Sequence, residues 1–234
     1  MSRSGQLNVS RTKDILEPNE YILALHGEFA NWSFDEVSGR QHRGEWRKVM
    51  GLSTETPVDI ELGTGNGLHF AHRSVLHPER GLVGLELKYK PLIQSIRRAV
   101  RAGATNARIV RYNAYLIDHV FGENEVNDVF IHFPDPWEKL KNHKHRMIQT
   151  DFLRRLSVVQ KPGSFLEFKT DSRDYFDWAL EKFEKSPYTL LDHTFNLHAP
   201  ENPPAAFMTH FERLFVRQSL PIHRAYLQAP TTAS

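Results

Sequence analysis

The sequence has 234 residues, 40 % hydrophobic and 25 % charged, the balance of a folded chain with material for one large domain. No apolar run approaches the ~20 residues of a membrane helix, and the polar stretch Met1 to Thr12 lacks the apolar centre of a secretory signal. Cysteine is absent, which excludes disulfides, thiolate metal sites and cysteine nucleophiles and makes a cytoplasmic location the expectation.

Residues 1–55 mix aromatics (Tyr21, Phe29, Trp32, Phe34, Trp46) with polar residues and read as an extension packed on the main domain. The main domain is expected over 56–228, with a flexible tail at 229–234. From Pro57 the pattern becomes regular. Val58 to Leu62 is a short strand breaking into Gly63-Thr64-Gly65-Asn66-Gly67, and Leu68 to Leu76 has helical spacing. Gly81 to Glu86 is a second strand, followed by a helix opening at Pro91, a residue suited to a first helical position. Ala107 to Arg111 and Val126 to Phe133 are the third and fourth strands, and a basic helix is expected from about Lys144 to Val159.

Lys161-Pro162-Gly163 turns into a fifth strand, Ser164 to Lys169, and Arg173 to Lys185 carries an apolar helical face of Tyr175, Phe176, Ala179, Leu180 and Phe183. Two later segments, Thr189 to Leu197 and Leu214 to Gln218, are expected to complete the sheet edge. Strand and helix in alternation predict an α/β fold, Rossmann-like, with a mostly parallel sheet and helices on both faces. Ligands of such folds bind beyond the carboxyl ends of the strands, where the motifs below sit.

The glycines at 63, 65 and 67 let the backbone turn tightly and approach a ligand. A dinucleotide turn, G-x-G-x-x-G, would need glycine where Leu68 stands, which argues against a nicotinamide dehydrogenase. Glu61, just before the turn, would repel a pyrophosphate and suits the amino-acid end of a nucleoside cofactor. Glu86, at the end of the second strand, can accept hydrogen bonds from both ribose hydroxyls. Asn113 offers an amide to an adenine edge, or is a turn residue.

The fourth strand ends in His132-Phe133-Pro134-Asp135-Pro136-Trp137, where two prolines fix an aspartate at the strand end and Trp137 offers a surface to a base. A basic cluster follows, Lys139, Lys141, Lys144, Arg146, Arg154 and Arg155, opposed mainly by Glu138 and Asp151. Such a cluster is either a footprint for phosphates or a solvated helix face.

Taken together these segments resemble the tRNA (guanine-N7-)-methyltransferases of bacterial type, from about Pro57 to Tyr226. The resemblance rests on Glu61 to Gly67, Gly84-Leu85-Glu86, Phe133 to Trp137 with Lys139 and His143 to Arg146, Lys169-Thr170-Asp171, and Thr209-His210-Phe211-Glu212. It implies a class I methyltransferase fold using S-adenosylmethionine, held by Glu61, Gly63, Gly65, Gly67, Glu86, Asn113 and Asp135. It places Asp135 at the catalytic centre, with Lys139, Asp171, Thr209, His210, Phe211 and Glu212 on the substrate. Lys141, His143, Lys144, His145 and Arg146 would lie along a tRNA backbone, and the product would be N7-methylguanosine, expected at guanine 46 of the variable loop. Asn113, Glu138, Leu140 and His145 depart from the family's usual residues, leaving fewer fixed charges for tRNA.

Two other functions compete. An exocyclic amino methyltransferase would use Asn/Asp-Pro-Pro-aromatic at this strand end, an order that Pro134-Asp135-Pro136-Trp137 does not supply. A non-catalytic RNA-binding subunit would keep the basic segment without needing the glycine turn and Glu86. The histidines form no spaced ligand set, so no metal is expected, and a monomer and a homodimer are both compatible with the sequence.

Overall fold

The computed structural model describes residues 11–202 and 207–231; the sequence readings for Met1 to Ser10 and for the last residues of the expected tail lie outside them. The extension contains α1 (Glu20–His26), β1 (Ser33–Phe34), α2 (Ser38–Gln41) and α3 (Trp46–Val49). The main run is β2 (Val58–Leu62), α4 (Leu68–Leu76), β3 (Gly81–Glu86), α5 (Tyr89–Arg101), β4 (Ala107–Arg111), β5 (Val129–His132) and α6 (Thr150–Val159). It closes with β6 (Phe165–Thr170), α7 (Arg173–Glu184), β7 (Thr189–Thr194), α8 (His210–Arg217) and β8 (His223–Gln228).

The eight strands form one sheet in the order β1-β4-β3-β2-β5-β6-β8-β7. It is parallel from β1 through β6, and β8 is antiparallel to both β6 and β7. The chain runs outward from β2 through β3 to β4, then restarts at β5 on the other side of β2. That reversal leaves a crevice at the carboxyl ends of β2 and β5, the place where such sheets bind ligands.

Every residue of β2 is buried, as a strand covered on both faces requires. On one face Phe70 and Ala71 of α4 pack with Leu92, Ile93 and Ile96 of α5 and Leu25 of α1. On the other, Phe152, Leu153 and Leu156 of α6 and Tyr175, Phe176 and Phe183 of α7 close over Ile131 and Phe168. Away from the crevice, Asp59 of β2 binds Arg73 at 2.6 Å and Arg80 at 2.5 Å, tying α4 to the sheet.

Several boundaries differ from expectation. Helix α5 begins at Tyr89, so Pro91 falls within its first turn, where its missing N–H costs nothing because those donors have no helical acceptor. The expected strand Val126 to Phe133 is regular only over Val129–His132, and Phe133 ends it with φ +52°. The basic segment is not one helix. A 3₁₀ turn spans Leu140–His145, Arg146 is extended, and α6 starts at Thr150. There the amide of Ile148 donates to the Tyr175 hydroxyl at 3.1 Å, so this backbone is satisfied by α7 rather than by a helix.

Leu214 to Gln218, expected as a strand, lies in and just past α8. Thr209 and Glu212 form a capping box that fixes a helix start, and this outweighs the short apolar run. The true partner of β6 is β8, whose His223, Ala225 and Leu227 face inward. Ala229, at the start of the expected tail, is buried and its amide donates to Ser164 at 2.8 Å.

Candidate active site

The crevice between β2 and β5 opens into a cavity of about 460 Å³. Its floor is the glycine turn, with Gly63, Gly65 and Gly67 at φ +77°, +54° and +74°. Left-handed backbone at alternate positions is open to glycine and costly for other residues. Gly63 has open space where a side chain would be, so backbone forms the wall there. Gly67 instead sits against Ser95 of α5; a Cβ there would lie 2.3 Å from the Ser95 Cα. Glycine at 67 therefore brings α4 and α5 together, and Ser95 Oγ reaches back to Thr64 Oγ1 at 2.9 Å.

Two carboxylates flank the turn. Glu86, at the end of β3, accepts from the amides of Gly65 at 3.2 Å and Lys88 at 3.0 Å. Burial pushes its carboxyl up, against those backbone hydrogen bonds, which favour the ionised form. Glu61, at 3 % exposure, accepts from His69 Nδ1 at 2.9 Å. Asn113, at the end of β4, caps the next 3₁₀ turn by accepting from the Tyr115 amide at 3.0 Å, and it also lines the cavity.

The opposite wall is Phe133, Pro134, Asp135 and Trp137. Phe133 and Trp137 have φ of +52° and +47°, a conformation that costs a non-glycine residue ~1–3 kcal/mol each and persists only where the surroundings hold it. The surroundings do so here. Arg146 is fully buried; its Nε donates to the Pro136 carbonyl at 2.8 Å and its Nη2 meets Asp174 of α7. Asp135 itself is exposed at the cavity mouth and has no hydrogen-bond or ion-pair partner among the described residues. Trp137 packs on His145 with ring centroids 5.2 Å apart.

The cavity brings together Glu61, Gly63, Gly65, Glu86, Asn113, Asp135, His145, Thr209, His210 and Phe211 of the expected residues. Gly67 stands behind the wall, and Lys139, Lys141 and Lys144 are exposed outside it. Asp171, at the end of β6, lies off the cavity; burial pushes its carboxyl up and the charge of Glu138 adds to that.

Three further residues take places other than those expected. Arg146 and His143 are buried rather than lying along a phosphate path, because the turn between Leu140 and Ile148 folds them inward against Asp174. Glu212 is fully buried and does not meet the cavity. Its oxygens accept from the Thr209 amide at 3.1 Å and His198 at 2.9 Å, with Lys169 Nζ at 3.6 Å.

Sequence reasoning passed over His69 and His132, both on the cavity wall. His132 Nε2 donates to Glu167 at 2.7 Å. Burial pushes its imidazole down to about 3, so it stays neutral. Burial opposes ionisation of Glu167, but the His132 hydrogen bond and the Lys169 charge outweigh it and hold that carboxyl low. One signal was available: His69 stands two residues past the last glycine of the turn, at the start of α4. Among the described residues no group of three or more His, Asp or Glu could hold a metal, and no helix is long and apolar enough to cross a membrane.

A family described as "Putative methyltransferase" matches residues 55–225 of this chain. A tRNA (guanine-N(7)-)-methyltransferase of Bdellovibrio bacteriovorus is 48% identical over 207 residues, covering 88% of this chain and 99% of the relative. A second protein of that name, from Lachnoclostridium phytofermentans, is 29% identical over 217 residues, covering 93% and 94%. Among solved structures the 16S rRNA methyltransferase KamB superposes with a TM-score of 0.56 over 84% of this chain and 94% of its own, at 14% identity, a likeness of fold alone.

Proposed function

The chain belongs to the tRNA (guanine-N(7)-)-methyltransferase family, and from that premise we propose that it methylates N7 of guanine in tRNA, at guanine 46 of the variable loop, using S-adenosylmethionine. The observation that carries this reading is the free carboxylate of Asp135 fixed across the cavity from Glu61 and Glu86. The cavity fits the methyl donor: its ~460 Å³ lies in the range of small-molecule sites, backbone replaces side chain at Gly63, and Glu86 is tied to the turn at a strand end. When bound, the donor supplies a methyl group carried on a sulfonium sulfur.

Glu86 would take the ribose hydroxyls and Glu61, oriented by His69, the ammonium of the methionyl end, with Asn113 on the adenine side. Guanine N7 has an in-plane lone pair and no proton, so no residue need act as a base at that atom. Alignment is therefore the main contribution of the protein. As positive charge moves onto the purine, the Asp135 carboxylate accepts hydrogen bonds from the base and offsets it. Thr209, His210 and Phe211 border the same cavity and would close over the base, with Lys139 and Asp171 as outer contacts.

Cofactor affinity should depend on pH through Glu86. Ribose hydroxyls donate to an ionised carboxylate, so acidification through the raised Glu86 value protonates the acceptor and weakens binding, starting above the ordinary carboxylate range. Glu86→Gln should weaken binding roughly 10- to 100-fold and flatten this dependence. Titration calorimetry across pH reads both effects; equal slopes for the two proteins would remove Glu86 from the cofactor site.

With His143 and Arg146 buried, the phosphate contacts of the basic segment fall to Lys139, Lys141 and Lys144, with His145 beside them. Engagement of about three to five phosphates in all corresponds to a slope of log affinity against log salt near −2 to −4. Replacing Lys141 and Lys144 by Ala should make that slope shallower by about 2. No change would return both to the solvated surface.

The deciding experiment is transfer of labelled methyl to unmodified tRNA, with the nucleoside identified by mass spectrometry and mapped. N7-methylguanosine at position 46 is the expected product. Label on another nucleoside would keep the cofactor and sink the guanine-N7 assignment.

A further inference from the structure

The extension makes a second cleft. It measures about 960 Å³ and is lined by Arg11, Lys13, Arg40 and Arg43 with His119, over a floor that includes Tyr112. Two carboxylates border it, and both are engaged. Glu36 is buried against Arg111 at 2.9 Å and accepts from the Thr12 hydroxyl at 2.6 Å. Asp118 takes both oxygens to Arg155 at 3.0 Å. Arg11, Lys13, Arg40 and Arg43 are exposed and form no ion pair among the described residues. One arginine is partly anchored, since Arg43 Nε donates to the Asp118 carbonyl at 2.8 Å.

The cleft is built, not a chance gathering of loose side chains. β1 pairs with β4, and Gly39 of α2 lies so close to Val110 that a Cβ would meet its Cγ1 at 2.3 Å. Trp46 of α3 is fully buried and donates to the Val120 carbonyl at 2.9 Å. Glu125 accepts from the amides of Gly44 at 2.8 Å and Trp46 at 2.8 Å. The segment carrying Arg40 and Arg43 is thereby held to the same sheet as the cofactor turn.

Tyr112 follows β4 and lines both this cleft and the cofactor cavity, so the two open at the same end of the sheet. The cavity is also lined by Trp137 and His145, and Lys141 and Lys144 stand exposed in the same turn as His145. Positive charge therefore borders the cavity at two places, the cleft beyond Tyr112 and the basic segment that holds His145.

We propose that this cleft binds the phosphodiester backbone of the RNA substrate, gripping a stretch of strand separate from that held by Lys141 and Lys144. The inference rests on the reading of the chain as a tRNA methyltransferase. Guanidinium groups in a fixed cleft suit phosphate, which they can meet with two parallel hydrogen bonds.

The test is tRNA binding by fluorescence anisotropy over a range of salt, with the full chain, its Arg40→Ala/Arg43→Ala variant and the single variant Arg40→Glu. S-adenosylmethionine binding by calorimetry confirms that each variant is folded, and it should be unchanged. The double variant should raise the tRNA Kd about tenfold and make the salt slope shallower by about 2, with kcat at saturating tRNA preserved and KM raised. Arg40→Glu should weaken binding at least as much, without touching the Arg43 anchor. Unchanged Kd and slope in both variants, while Lys141→Ala/Lys144→Ala still flattens the slope, would overturn the proposal. Failure of the unaltered protein to bind or methylate tRNA would instead overturn the substrate reading, and with it this one.

Discussion

Asp135→Ala is expected to lower kcat by about two to three orders of magnitude, with cofactor and tRNA affinities within a few-fold of the unaltered protein. The carboxylate is exposed, carries no internal partner among the described residues, and stands on backbone that cannot easily move. Pro134 and Pro136 fix φ on either side, Phe133 and Trp137 hold left-handed turns, and Arg146 grips the Pro136 carbonyl from below. A group so held loses little by orienting itself as charge develops on the base, and its removal should act on turnover rather than binding. Asp135→Asn keeps shape and an acceptor while losing the charge, so its defect should be smaller, about tenfold. Single-turnover rates with separately measured affinities would show this. Near-normal turnover in Asp135→Ala, with tRNA still bound, would move the catalytic contribution elsewhere.

Gly67→Ala is expected to cost about 3 kcal/mol or more, the sum of a left-handed backbone penalty of ~1–2 kcal/mol and an overpacking cost of ~1–3 kcal/mol. The new Cβ would meet Ser95 at 2.3 Å from Cα and 2.6 Å from Oγ, and the first of these is backbone that no rotamer change can clear. Helix α4 must then part from α5. Because Ser95 is bonded to Thr64 within the turn, the cofactor floor should shift with it. For a chain of this size the melting temperature should fall by roughly 6–12 °C. Gly63→Ala is the matched control: its φ is also positive, at +77°, but nothing lies within 4 Å. It should lose only the backbone part, about 1–2 kcal/mol, while its methyl group projects into the cavity and impairs cofactor binding. Equal melting losses in the two variants would show that the Ser95 contact is not what sets glycine at 67.

The parts of this molecule legible in the sequence were those where one local rule decides. Val58–Leu62, Gly81–Glu86 and Ala107–Arg111 are buried parallel strands, and their apolar runs and flanking glycines mark them within the chain. The glycine turn and Glu86 could be placed together because a turn and the next strand end are neighbours in any such sheet. What could not be read depends on distant partners. Arg146 looks like one more basic residue of a solvated segment, and only Asp174 and the Pro136 carbonyl, brought up by α7 and the strand end, explain why it is buried. Glu212 reads as an acidic residue available to a base, yet it spends both oxygens on its own helix cap, His198 and Lys169. The capping box was nonetheless visible as Thr209-x-x-Glu212, and reading it would have identified α8. β8 was hidden for another reason: His-Arg-Ala-Tyr-Leu-Gln presents two small or polar side chains inward, His223 and Ala225, so its alternation is faint.

The placing of β8 between β6 and β7 bears on how the chain is made. β6 and β7 are synthesised first, and neither pairs with the other. Until β8 follows, β6 has a free edge and β7 has no partner strand at all, although β5 and the glycine-turn half of the sheet can already assemble. A nascent chain halted before His223 would therefore present unpaired backbone donors and acceptors, the condition that invites strand addition from another molecule. The order of the sheet makes arrival of β8 the event that closes this window.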